Sequence, residues 1–160
     1  MQKTVYIETT IPSFYHETRG EPEAVARRQW TREWWDSAAA RFRMVTSEAV
    51  LDELERGEFE KKDDCLALIA SLPVLEVEDA VAEIVESYIT HKVMPRDPVG
   101  DALHLALASY YRCDFLLTWN CRHLANASKF DHIRRINAMM GLFVPVLTTP
   151  LELLSSEDAS

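Results

Sequence analysis

Positive charge, glycine and cysteine are all scarce in this chain, and each scarcity closes off a class of protein. Lys and Arg number 17 against 26 Asp and Glu, a formal net charge of −9 over 160 residues. Bulk charge therefore offers no unspecific adhesion to nucleic acid or to an anionic membrane, although an enzyme whose site supplies metal ions can still act on nucleic acid. The 3 cysteines, Cys65, Cys113 and Cys121, are odd in number and form no CxxC pair, which argues against a disulfide framework and fits a reducing cytoplasm. Cys113 and Cys121 with His123 match no common zinc module. Nowhere do about 18 apolar residues run together, and the apolar stretch at the N-terminus ends at Glu8, so neither a membrane span nor an export signal is expected. With only 4 Gly and 7 Pro, and 48% hydrophobic against 27% charged residues, disorder and collagen-like repeats are excluded.

What is there reads as one domain over 1–160, with about 150–160 as a short C-terminal tail. Thr4 to Ile7 is a β-rich run ended by Thr9-Thr10-Ile11-Pro12-Ser13, a strand feeding a loop. A long helix follows from Glu21 to Phe42, with Pro22 where a first turn accepts it. Arg43 to Ser47 is a strand, Glu48 to Glu55 a helix that Gly57 can end, and Lys61 to Ser71 another helix. Val74 to Val77 is a strand, and Asp79 caps a helix with apolar residues at Val81, Ile84, Val85, Tyr88 and Ile89. Asp97-Pro98 carries a cap and first-turn signature for an Ala- and Leu-rich helix over Gly100 to Arg112. Phe115 to Thr118 is a strand, Ile133 to Met140 a helix, and Val144 to Leu147 a last strand. Strands alternating with helices imply an α/β fold with a mainly parallel sheet covered on both faces.

In such sheets chemistry gathers beyond the carboxyl ends of the strands. Glu8 ends the first strand, Asn120 follows the fourth, Asp101 opens the apolar helix, and Glu53 rides the helix after the second strand. Carboxylates brought together there repel unless a cation joins them, and Mg²⁺ or Mn²⁺ held by a few oxygens is the simple remedy. Each residue has a plainer alternative. Glu8 can be a solvated carboxylate beside a turn, Glu53 competes with Glu48, Asp52 and Glu55 on a charged helix, and Asn120 can simply cap a turn. Asp101 is harder to explain away, because Asp97 already serves as the cap and an acid amid Ala102, Leu103, Leu105 and Ala106 needs a charge partner if buried. His104, on the same apolar helix, reads as a hydrogen-bonded core histidine rather than a ligand.

Val5-Tyr6-Ile7-Glu8-Thr9-Thr10, Thr46-Ser47 with Glu53-Leu54 and Gly57, Gly100-Asp101-Ala102-Leu103-His104-Leu105-Ala106-Leu107-Ala108 and Leu116-Leu117-Thr118-Trp119-Asn120 together resemble the PIN-domain ribonucleases, especially the VapC-like toxins of type II toxin–antitoxin pairs. The segments span most of the chain in the family's order. The resemblance implies a PIN-like three-layer α/β/α fold and a metal-dependent endoribonuclease. Glu8, Glu53, Asp101 and Asn120 would be its catalytic and metal-binding residues and Mg²⁺ or Mn²⁺ its cofactor. RNA would be the substrate, a small antitoxin protein the partner, and a homodimer is compatible. Glu8 stands where the family usually carries Asp, and Asn120 offers an uncharged amide oxygen at the fourth acidic position. That second departure supports the alternative of a catalytically weak or inactive PIN-like module that binds RNA or protein.

Two further features stand outside those motifs. Arg122, His123, Lys129, His132, Arg134 and Arg135 form the densest basic stretch, suited to RNA phosphates or to a solvated helix face. Trp30 and Trp34 lie at i,i+4 on the long helix, where they either pack in the core or present a surface to a second copy or an antitoxin.

Overall fold

The protein is described by a computed structural model covering residues 2–38, 40–57, 59–96 and 99–158, with side chains as far as 154. Its strands are β1 (Thr4–Ile7), β2 (Arg43–Ser47), β3 (Val74–Leu75), β4 (Phe115–Leu117) and β5 (Val146–Thr148). They form one five-stranded sheet in the order β3-β2-β1-β4-β5, parallel throughout. Tyr6 pairs with Val45 on one side and Leu116 on the other. Val5, Tyr6 and Ile7 have no exposed surface, as expected of a central parallel strand covered on both faces. β1 sits where the strand order reverses, so its carboxyl end opens onto the crevice in which doubly wound sheets place their ligands.

The helices are α1 (Thr10–Tyr15), α2 (Pro22–Ala38), α3 (Glu48–Arg56), α4 (Lys62–Ile69), α5 (Asp79–Thr90), α6 (Val99–Tyr110), α7 (Ala127–Met139) and α8 (Pro150–Asp158). α1, α2 and α8 pack together, α4 lies against α1 and α3, and α5 packs on α6. A buried polar knot ties α5, α6 and α7. Tyr88 donates to Asn137 Oδ1 at 2.6 Å and lies 3.1 Å from Ser109 Oγ, while the Asn137 amide donates to Ser109 Oγ and to Phe143 O. Every member of the knot is hydrogen-bonded, which removes the cost of burying it. Among the described residues no helix is long and apolar enough to cross a membrane.

Several elements differ from the sequence expectation. Thr10–Tyr15 is helical rather than a loop, because Pro12 falls in the first turn, where a missing N–H costs nothing. The long helix stops at Ala38, and α7 begins at Ala127 because Asn126 caps it by accepting from Ser128 N. The expected tail is helix α8, with Leu153 buried. Glu78, rather than Asp79, takes the cap position of α5, and the expected Asp97 cap lies outside the described residues. Trp34 is wholly buried and stacks on Phe42, which rules it out as a surface for a partner. Trp30 is half-buried against Trp119, ring centroids 6.1 Å apart.

Candidate metal centre

Glu8 leaves β1 with its backbone N–H still bonded to Leu117 O at 3.2 Å, so its side chain departs from a fixed point. Glu8 as a whole is 4% exposed. Its Oε1 accepts from Thr10 N, from Thr10 Oγ1 at 2.5 Å and from Thr118 Oγ1 at 2.6 Å, and charge-assisted bonds of this length hold it firmly. Thr118 Oγ1 in turn accepts from Asn120 N at 2.9 Å, which joins the end of β4 to the end of β1.

Glu53 arrives from α3, and a buried chain of hydrogen bonds sets its position. Ser47 caps α3, accepting from Val50 N, and its Oγ lies 2.7 Å from the Tyr6 hydroxyl. That hydroxyl is 2.7 Å from His104 Nδ1, and His104 Nε2 donates to Glu53 Oε1 at 2.7 Å. The chain starts at the cap of α3 and returns to the same helix at Glu53, passing through β1 and α6. Gly100, in the first turn of α6, completes the seat, since a Cβ there would lie 3.0 Å from Glu53 Oε1. Burial pushes the Glu53 carboxyl up, but the His104 bond and charge more than offset it, and the group titrates below its ordinary value. His104 shows the mirror image. Burial disfavours its charged form, yet the Glu53 bond and the charges of Glu8, Glu53 and Asp101 outweigh burial and raise its pKa.

Asp101, in the first turn of α6, is 8% exposed. Its Oδ1 accepts from Asn120 Nδ2 at 2.8 Å, whereas Oδ2 is buried with no hydrogen-bond partner. Burial is the main cause of its raised pKa, with the Glu53 charge adding and His123, His104 and Asn120 opposing. An orphaned carboxylate oxygen is a costly object inside a protein. Asn120 Oδ1 accepts from His123 N at 3.1 Å, so this residue caps the turn and also holds Asp101 in place.

All of the sequence-selected residues thus lie on one network. Glu8 connects through Thr118 to Asn120 and so to Asp101, while His104 bonds Glu53 and stands 4.0 Å from Glu8 Oε2. Ligand atoms of Glu8, Glu53 and His104 all fall within 4.8 Å of one another. His104 is the residue whose part the sequence understated. It is a hydrogen-bonded core histidine, as expected, yet it also faces the carboxylates, and the signal was its i,i+3 spacing from Asp101. Its Nε2 proton is committed to Glu53, which makes it an orienting donor in this arrangement. The Glu8 and Glu53 oxygens suit one hard divalent cation, for which oxygen donors and accumulated negative charge are the requirement, and Asp101 lies outside that tight group, joined to it through Asn120 and Thr118.

No family model and no curated protein matches the sequence. The structure is similar to a chain in the crystal structure of VapBC2 from Rickettsia felis bound to a DNA fragment from their promoter. The TM-score is 0.58 at 13% identity, over 91% of this chain and 98% of that one. At this identity the likeness establishes the fold, a PIN-like three-layer α/β/α arrangement around a parallel sheet.

Proposed function

We propose that the chain is a metal-dependent endoribonuclease, the VapC-like toxin half of a toxin–antitoxin pair. The observation that carries this reading is the gathering of Glu8 and Glu53 around His104 at the carboxyl end of the central strands, with Asp101, its Oδ2 buried and unpartnered, tied to Glu8 through Asn120 and Thr118. The fold shared with a chain of VapBC2 supports the assignment and, with it, a small antitoxin as partner.

Glu8, Asp101 and Glu53 would hold the cation, Mg²⁺ or Mn²⁺, which when bound supplies an activated water and neutralises charge on the phosphate. The protein's own contribution is to fix the oxygens. Thr10 and Thr118 anchor Glu8, Asn120 orients Asp101, and His104 orients Glu53. Asn120 acts through Asp101 in this scheme rather than on the cation itself. Residues that orient a metal ligand in this way are worth about 10–100-fold in metal affinity or activity.

The test is cleavage of a mixed RNA pool by the purified protein with Mn²⁺ or Mg²⁺. Internal cuts that disappear with EDTA, and in Glu8→Gln and Asp101→Asn proteins of unchanged fold, are expected. A protein that binds RNA but cuts none with either ion is the inactive module instead.

A further inference from the structure

A cleft of about 420 Å³ is walled by Lys92, Arg96, His123 and Lys129 over a floor that includes Met94 and Pro95. Among the described residues no carboxylate lines it, in a chain whose net charge is −9. Arg19, Arg27, Lys61, Lys62 and Arg134 are each paired with an acid. By contrast, Lys92, Arg96 and Lys129 form no ion pair among the described residues, and Lys129 Nζ rests 3.7 Å from Met94 Sδ. The cleft adjoins the carboxylate centre, since the charges of His123 and Lys129 are felt at Asp101 and the His123 N–H bonds Asn120. A cluster of carboxylates repels any polyanion that approaches it, so a substrate strand needs cations placed beside the centre.

We infer that this cleft holds a backbone phosphate of RNA next to the phosphate presented to the Glu8–Glu53–Asp101 centre, with Lys92, Arg96 and Lys129 as its cationic ligands. The inference rests on the nuclease reading for its substrate class. It also divides the basic stretch expected from the sequence. His123 and Lys129 face the cleft, whereas Arg134 lies over Phe130 and pairs with Asp131 on the exposed side of α7.

Lys92 supplies a variant that cannot lose binding through unfolding. It occupies the left-handed position after α5, φ 57°, with Lys92 N bonded to Ile89 O and Val93 N to Tyr88 O, the helix-ending motif that favours glycine. Lys92→Gly keeps that backbone at no steric cost and removes only the side chain.

The experiment measures binding of a short fluorescein-labelled single-stranded RNA in EDTA across a salt series, for the wild type, Lys92→Gly, Arg96→Gln, Lys129→Gln and the triple variant. The control is Lys3→Gln with Arg112→Gln, which flank the opposite ends of β1 and β4. Removing one cation that neutralises a phosphate lowers the slope of log affinity against log salt by about 0.7, so the triple variant is expected to drop by about 2 and the control not at all. Lys92→Gly is expected to melt no lower than wild type. A triple variant that keeps the wild-type slope, or loses no more affinity than the control, overturns the inference. So does a cleft that binds polyglutamate while RNA binding is indifferent to its charges. RNA held through the cleft but left uncut with Mn²⁺ would defeat the nuclease reading and leave this one standing. Cleavage unimpaired in the triple variant would do the reverse.

Discussion

Replacing Asn120 by Asp changes one amide to a carboxylate at nearly constant shape, at the point where the structure spends that amide on Asp101. The wild-type bond is 2.8 Å long and its acceptor is a carboxylate with raised pKa. A hydrogen bond to a charged group contributes about 1.5–3 kcal/mol. Two like charges about 4 Å apart repel by about 4 kcal/mol at an effective dielectric near 20. Asn120 is half-buried, so solvent screening and uptake of a shared proton reduce the repulsion, and a net cost on the order of 3 kcal/mol is expected. In a domain of this size each kcal/mol moves the melting temperature by about 2–4 °C, so the metal-free variant should melt roughly 6–12 °C lower. Mn²⁺ should recover much of that loss. If the added carboxylate tightens binding tenfold, the ion contributes about 1.4 kcal/mol more to the variant than to the wild type, a further rise of about 3–6 °C. Calorimetric melting with and without Mn²⁺ reads both numbers. The swap Asp101→Asn with Asn120→Asp is the internal check, because it restores the bond with reversed polarity and should recover stability but not the wild-type response to metal. Equal melting temperatures in EDTA together with equal Mn²⁺ increments would falsify the placement of Asn120 against Asp101.

Three other substitutions probe separate parts of the molecule. Gly100→Ala removes a helical glycine, which by propensity stabilises by up to about 1 kcal/mol, but its Cβ presses on Glu53 Oε1. Melting temperature should hold or rise while Mn²⁺ affinity by titration falls about tenfold, and an unchanged affinity would show that Glu53 is free to move aside. Tyr88→Phe strips the donor from Asn137 Oδ1 in the knot joining α5, α6 and α7. It should cost about 1–3 kcal/mol in urea unfolding, with a value near zero meaning that the amide finds another partner. Glu17 is 6% exposed, and bonds from Arg19 hold its carboxyl down at about 2. Its folded pKa lies below the unfolded one, so its contribution is present above the ordinary carboxylate range and is lost as pH falls toward 2. Glu17→Gln should remove that portion of the acid limb in a pH series of melting temperatures, and a superimposable limb would refute the assignment.

The strands were the most legible part of this fold, because Val5-Tyr6-Ile7 and Phe115-Leu116-Leu117 are apolar runs of strand length bounded by turn residues. Short helices were harder. Thr10–Tyr15 mixes β-branched residues with a proline, and only its neighbours make it helical; the start of α7 hangs on an Asn126 cap that local composition hides. Position along the strands also pointed to Glu8 and Asn120, and an acid inside an apolar helix pointed to Asp101. What the sequence could not convey was pairing. Nothing in the spacing of Tyr6, Ser47 and His104, far apart in the chain, announces that they join end to end, and nothing in Trp30 announces the Trp119 ring beneath it. Those contacts depend on which strands lie side by side, and that is decided by the whole chain.

The closed chain of Ser47, Tyr6, His104 and Glu53 has a bearing on how such a protein can change over generations. Tyr6 and His104 each bond two other members and Ser47 and Glu53 one each, so removing any one leaves a buried polar atom stranded at its neighbour. A lineage cannot exchange tyrosine for phenylalanine at position 6, or histidine for leucine at position 104, one step at a time without passing through an impaired intermediate. The residues that grip Glu53 should therefore be inherited as a block. A homologue that has lost the histidine is expected to have replaced the tyrosine and the serine as well, and to hold its glutamate by a different device.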